Sequence, residues 1–149
     1  MIVGARGYLA GPAAEVERAV AYAEELTALG YVLTQAWWER VIEERQRGWA
    51  TDADVPADYM RENAIMNRHG LDLADFVVAL CRRDGGVSPG TAGEVAYAVA
   101  LHHGEHIVTL RNTIVMVGDP RGCVWSYDPA VLVVPTMAEA IAHLAKVLR

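Results

Sequence analysis

Asp75-Phe-Val-Val-Ala-Leu-Cys81 is followed, after a short polar stretch, by Ser88-Pro-Gly-Thr-Ala-Gly-Glu94. The pattern is an apolar strand, a glycine-rich loop and a carboxylate on the first turn of a helix. In an open parallel sheet, ligands bind beyond the carboxyl ends of the strands, where strand-to-helix loops deliver side chains and backbone amides. An active site is therefore expected in this segment. Thr91-Ala-Gly-Glu94 also has the spacing of a capping box, in which the Thr hydroxyl and the Glu carboxylate satisfy amides that the first turn leaves unpaired. Thr136-Met-Ala-Glu139 repeats that spacing at the terminal helix, so spacing alone does not separate catalysis from capping. Position does: Glu94 follows the central strand, and Glu139 follows an outer one.

The elements that must position these residues follow from hydrophobic periodicity. Residues 2–10 read as a strand running into a turn at Gly11-Pro12, with Pro12 suited to the first position of the next helix. Val16, Ala19, Val20, Ala23, Leu26 and Leu29 recur at helical spacing, and Gly30 supplies the stop. Residues 31–34 make a short second strand. Trp37, Trp38 and Trp49 then sit among charged residues in a polar helix, followed by a loop through residues 52–56 and a helix from about Ala57 that ends at Gly70. Residues 72–74 lead into the third strand, 76–81, which is apolar on both faces, as expected at the centre of a parallel sheet.

Helix 91–103 presents Ala92, Val95, Ala96, Val99 and Ala100 as a small apolar stripe that can approach the sheet closely. Residues 106–110 and 113–117 are both strand-like, and Arg111-Asn112 between them is either a tight turn or the middle of one long strand. Residues 131–134 form the last strand, and Thr136 opens an amphipathic terminal helix through Ile141, Leu144 and Leu148. Strands alternating with helices in this way indicate an α/β sandwich with a mostly parallel sheet of about five strands, joined by right-handed crossovers.

A chain of 149 residues with 53% apolar content fits one domain, residues 1–149. The net charge of -6 and the pI near 5.3 leave no electrostatic footprint for polymeric nucleic acid. The amino terminus lacks the pattern of a signal peptide and no apolar run approaches a membrane span, so a cytoplasmic location is expected. Without a secretory context Cys81 and Cys123 are expected to stay thiols. No Cys/His spacing resembles a zinc site, and the adjacent His102 and His103 point in different directions on a helix. Gly4 and Gly7 do not make a dinucleotide fingerprint.

Three separated stretches, in order, carry a resemblance: Gly7-Tyr-Leu-Ala-Gly-Pro12, Ala74-Asp75-Phe-Val-Val-Ala, and Pro89-Gly-Thr-Ala-Gly-Glu-Val-Ala-Tyr-Ala98. Together they resemble the nucleoside 2-deoxyribosyltransferase family, over roughly the first hundred residues. The carboxyl-terminal third matches only in its strand-then-helix outline. The resemblance implies a flavodoxin-like (Rossmann-like) three-layer sandwich, a homo-oligomer of two or more subunits, and cleavage of the bond between a nucleobase and C1′ of its sugar. It implies no metal and no organic cofactor.

By the same resemblance Glu94 matches the family's nucleophilic glutamate. Breaking an N-glycosidic bond develops oxocarbenium character at C1′, which a carboxylate can stabilise and then capture covalently before another base or water releases it. Asp75 matches an acidic residue at the head of the central strand that could protonate the departing base, with Asp72 its nearest competitor. Tyr8 matches an aromatic hydroxyl near the sugar or the catalytic carboxylate. Gly11, Gly90 and Thr91 fall within the matching stretches and are expected to bind substrate. Family members often complete the site with a polar group from a neighbouring subunit; Ser126 and Asn112 are the candidates here.

Ser88 departs from the pattern, since the family's transferases often carry Asp at that position. The related hydrolases of nucleoside 5′-monophosphates tend to have Ser there. A hydroxyl beside the amides of residues 90–93 at a helix amino end could bind a phosphate that a carboxylate would repel, with help from Arg82 and Arg83. The glycine-rich opening of those hydrolases is absent, so nucleoside and monophosphate both stay open, as do transfer and hydrolysis. Trp37, Trp38 and Trp49 could stack a base or pack at an interface. Asn63 and Asn67, one turn apart, receive no role. The rival from another class is a noncatalytic nucleotide-binding or regulatory domain of the same fold that uses residues 88–91 as an anion cradle.

Overall fold

β-branched and apolar runs that are buried on both faces set the centre of the molecule. The computed structural model describes residues 4–104 and 113–148. β1 (Arg6–Ala10), β3 (Phe76–Leu80) and β4 (Thr113–Val117) lie side by side at the centre, flanked by the short β2 (Val32–Leu33) and by β5 (Val131–Val134) at the two edges. All pairings are parallel, in the order β2-β1-β3-β4-β5. This is the doubly wound, flavodoxin-like α/β arrangement. Every residue of β3 is buried, whereas β5 exposes Leu132 and Val133, as its edge position allows.

Helices cover both faces. α1 (Val16–Ala28) and α5 (Met137–Val147) pack on one side, α3 (Ala57–Leu73) and α4 (Pro89–His103) on the other, and α2 (Trp37–Gln46) lies against both α1 and α3. α1 buries Val16, Ala19, Ala23 and Leu26 at helical spacing. It stops because Gly30 takes φ +91°, which lets Gly30 and Tyr31 return amide hydrogen bonds to Thr27 and Leu26. Core packing is continuous from Leu9 and Leu26 through Phe76, Val78 and Val115 to Leu144. Cys81 and Cys123 are both buried free thiols.

Several expected boundaries move. β1 begins at Arg6, and residues 1–3 lie outside the described part. Pro12 is not the first residue of α1: it caps a single 3-10 turn, Ala13–Glu15, that feeds the helix. α3 does not end at Gly70 but runs on to Leu73, taking Asp72 into the helix. The missing side chain at Gly70 serves close packing instead, because a Cβ there would lie 3.1 Å from the Tyr8 ring and 2.8 Å from Cβ of Gln35. α4 starts two residues earlier than expected, at Pro89. The strand expected at 106–110 and the Arg111-Asn112 step lie outside the described residues.

Candidate active site

The chain leaves β1 toward β2 on one side and leaves β3 toward β4 on the other. The carboxyl ends of β1 and β3 therefore bracket the point where the winding reverses, which is where doubly wound sheets bind ligands. A cleft of about 330 Å³ opens there. Glu94, Asn67, Gly11 and Trp37 line it, with Ser88, Gly90 and Thr91 at the start of the helix that carries Glu94 and Arg40, Glu44 and Asn63 from the two preceding helices.

Glu94 does not cap its helix. Ser88 is the N-cap of α4, accepting from the Thr91 amide at 3.4 Å and donating its own hydroxyl proton to Thr91 Oγ1 at 2.8 Å. Pro89 follows at a helix position where its missing N–H costs nothing. Glu94 is consequently the sixth residue of α4, beyond the reach of the unpaired first-turn amides, and the first turn holds no acidic residue. Thr136 behaves as its spacing predicts, accepting from the Glu139 amide at 3.3 Å. The two Thr-x-x-Glu sequences thus do different work: one is a cap, the other lies wholly inside a helix that a preceding Ser-Pro has already started.

Released from capping, the Glu94 carboxyl points into the cleft. The hydroxyl of Tyr8 donates to its Oε1 at 2.8 Å, and Asn67 Nδ2 makes a longer contact of 3.4 Å to the same oxygen. Oε2 accepts no hydrogen bond among the described residues and is the oxygen free to meet a ligand. Burial pushes the Glu94 carboxyl up to about 7, against a smaller lowering by the Tyr8 hydrogen bond. The Tyr8 hydroxyl is held well above its usual range, first by burial and then by the neighbouring Glu94. It stays a proton donor.

Trp37 is the tryptophan that reaches the cleft. Its indole N–H donates to the Leu9 carbonyl at 2.6 Å, which fixes the ring beside the end of β1. Trp38 packs edge-on against it and lines a separate groove, and Trp49 packs against Tyr59.

The structure does not bring Asp75 to this site. Asp75 precedes β3, so it lies at the amino edge of the sheet, about 16 Å from the carboxyl edge at 3.3 Å per strand residue. Its carboxylate accepts from the Arg6 amide at 2.8 Å and pairs with the Arg6 side chain at 3.5 Å. Asp72 accepts from Tyr97 on the flank of α4. Arg82 and Arg83 line a different hollow with Arg18, and Arg83 pairs with Glu15. Ser126 donates to the Cys123 carbonyl within its own turn, and Asn112 lies outside the described residues. The expected cradle of amides at residues 90–93 is largely filled: Thr91 and Ala92 amides bond Ser88, Pro89 has none, and Gly93 is within the helix.

Asn67, Asn63, Arg40 and Glu44 are the residues that sequence reasoning left without a role. The available signal was the pair Asn63 and Asn67, since polar amides four apart on a helix beside the sheet share one face. Among the described residues no group of His, Cys, Asp and Glu could hold a metal ion, and His103 pairs with Asp128 at 3.1 Å. No helix is long and apolar enough to cross a membrane among the described residues. Fold and site together define a flavodoxin-like α/β protein with a carboxylate-bearing cleft at its switch point. Comparison of the chain with family models, curated proteins and solved structures finds no match in any of the three.

Proposed function

We propose that this chain cleaves the N-glycosidic bond of a (deoxy)nucleoside or its 5′-monophosphate through a covalent glycosyl intermediate on Glu94. The observation that carries the reading is the partly buried hydrogen bond from Tyr8 to Glu94 Oε1, which leaves Oε2 without a protein partner beside a cleft at the switch point. Oε2 attacks C1′ as the bond to the base nitrogen breaks. The bond's electron pair departs with the base, which takes up a proton from solvent water. A second nucleobase or a water then attacks C1′ from the vacated face, gives up its own proton to solvent and regenerates the carboxylate, with net retention. Tyr8 and Asn67 hold one oxygen and thereby aim the other. Trp37 offers an apolar ring that suits a planar base. By the same reading the protein is cytoplasmic and a homo-oligomer, and sedimentation of the purified chain checks the oligomer.

The test is incubation with nucleosides and their 5′-monophosphates, with and without an acceptor base, following free base by chromatography. Release that depends on the acceptor assigns transfer, and release without it assigns hydrolysis. No release from any substrate overturns the proposal.

A further inference from the structure

Along α3, Asn67 and Asn63 stand four residues apart, a rise of about 6 Å, and each donates to a carboxylate: Asn67 to Glu94 and Asn63 to Glu44, the latter at 3.0 Å. The Asn63 amide cannot flip. Its Oδ1 accepts from Arg40 Nε at 2.7 Å, and a guanidinium only donates, so Nδ2 must face Glu44. Glu44 therefore has one oxygen pinned, while its Oε2 accepts no hydrogen bond and forms no ion pair among the described residues. Glu44 is half-buried, so a ligand donor at this oxygen would take the place of water on a carboxylate already held at the cleft wall.

The charge balance of the cleft points the same way. Among the described residues, Glu44, Asp52 and Glu94 line it against a single cation, Arg40. Arg40 is engaged elsewhere: besides Asn63 it bonds Glu62 at 3.2 Å and the Tyr59 carbonyl, and its guanidinium lies 3.7 Å over the Tyr59 ring. The helix end offers an anion little, since Ser88 and Thr91 are bonded to each other and Pro89 has no N–H. Of residues 88–91, only the amides of Ser88 and Gly90 have no hydrogen-bond partner among the described residues.

Resting on the function proposed above, we infer that Glu44 is a specificity-determining residue of this cleft. It accepts a hydrogen bond from an N–H or O–H of an uncharged nucleoside and rejects the 5′-monophosphate of the same nucleoside. The test uses the four deoxynucleosides, each matched with its 5′-monophosphate, on the full chain and on Glu44→Gln, a variant that still accepts from Asn63. Base release is followed for each, and binding of the same pairs is measured by calorimetry on Glu94→Gln with and without the Glu44→Gln change. The wild-type chain is expected to favour the nucleoside of the preferred pair by at least about tenfold, and Glu44→Gln to narrow that ratio by a similar factor. A wild-type preference for the monophosphate would assign the anion to Arg40 and Gly90 and overturn the inference, as would a ratio unchanged in Glu44→Gln. Selective binding without base release would sink the catalytic reading and leave the role of Glu44 standing. No binding of either ligand would sink both.

Discussion

A carboxyl raised to about 7 is half protonated where an ordinary glutamate is fully ionised, and this has two measurable consequences at Glu94. A nucleophile must be ionised, so kcat/KM is expected to climb with pH through a limb near 7 and to level above it. Tyr8→Phe removes the shorter of the two hydrogen bonds to this carboxyl, the one that lowers it, so the limb should move to higher pH; a limb that stays in place would detach Tyr8 from Glu94. The second consequence is stability. Because the folded chain binds the proton more tightly than the unfolded one, the buried charge weakens the fold progressively as pH rises from about 4.5 to about 7. Glu94→Gln should therefore be more stable than the wild-type chain at pH 8, by up to about 3 kcal/mol, with the difference vanishing near pH 4.5. A capping carboxylate would give the opposite sign. Thermal melts at the two pH values decide it, at roughly 2–4 °C for each kcal/mol.

At the level of elements, the helix ends decided what the residues could do. Ser88-Pro89 starts α4 two residues before Thr91, and this was hidden in the sequence because two overlapping cap signals compete for the same helix. The regular part was legible: the period of α1, the terminal helix opened by Thr136 and the all-apolar β3 follow directly from side-chain spacing. Gly70 was not, since a glycine in a helical pattern reads as a stop until the Tyr8 ring is placed against it. Gly70→Ala should accordingly destabilise the chain by about 1–3 kcal/mol through overpacking, despite alanine's better helix propensity. It should also push the Tyr8 hydroxyl from Glu94 and move the pH limb upward. A gain in melting temperature, as an unconstrained helical glycine would give, would contradict this packing.

On the scale of the whole molecule the sheet has two ends with different work. The carboxyl end gathers Gly11, Trp37, Ser88 and Glu94 around the switch point, and the amino end holds the Arg6–Asp75 pair. Sequence order placed both Asp75 and Glu94 beside the central strand, yet a strand separates what it connects, and adjacency to one element says nothing about which end a residue occupies. Asn63, Asn67, Arg40 and Glu44 come from α2 and α3, and only tertiary packing of those helices brings them to the cleft. Asp75→Ala should lower stability by no more than about 1 kcal/mol, because water can replace the carboxylate at the exposed Arg6 amide, while base release stays within about twofold of wild type. A collapse of activity with the fold intact would return Asp75 to the chemistry. The covalent step is read by mass spectrometry of the quenched chain during turnover. A glycosyl adduct is expected on the peptide carrying Glu94 and absent in Glu94→Gln. Base release that persists in Glu94→Gln, or turnover with an adduct on another residue, would contradict it.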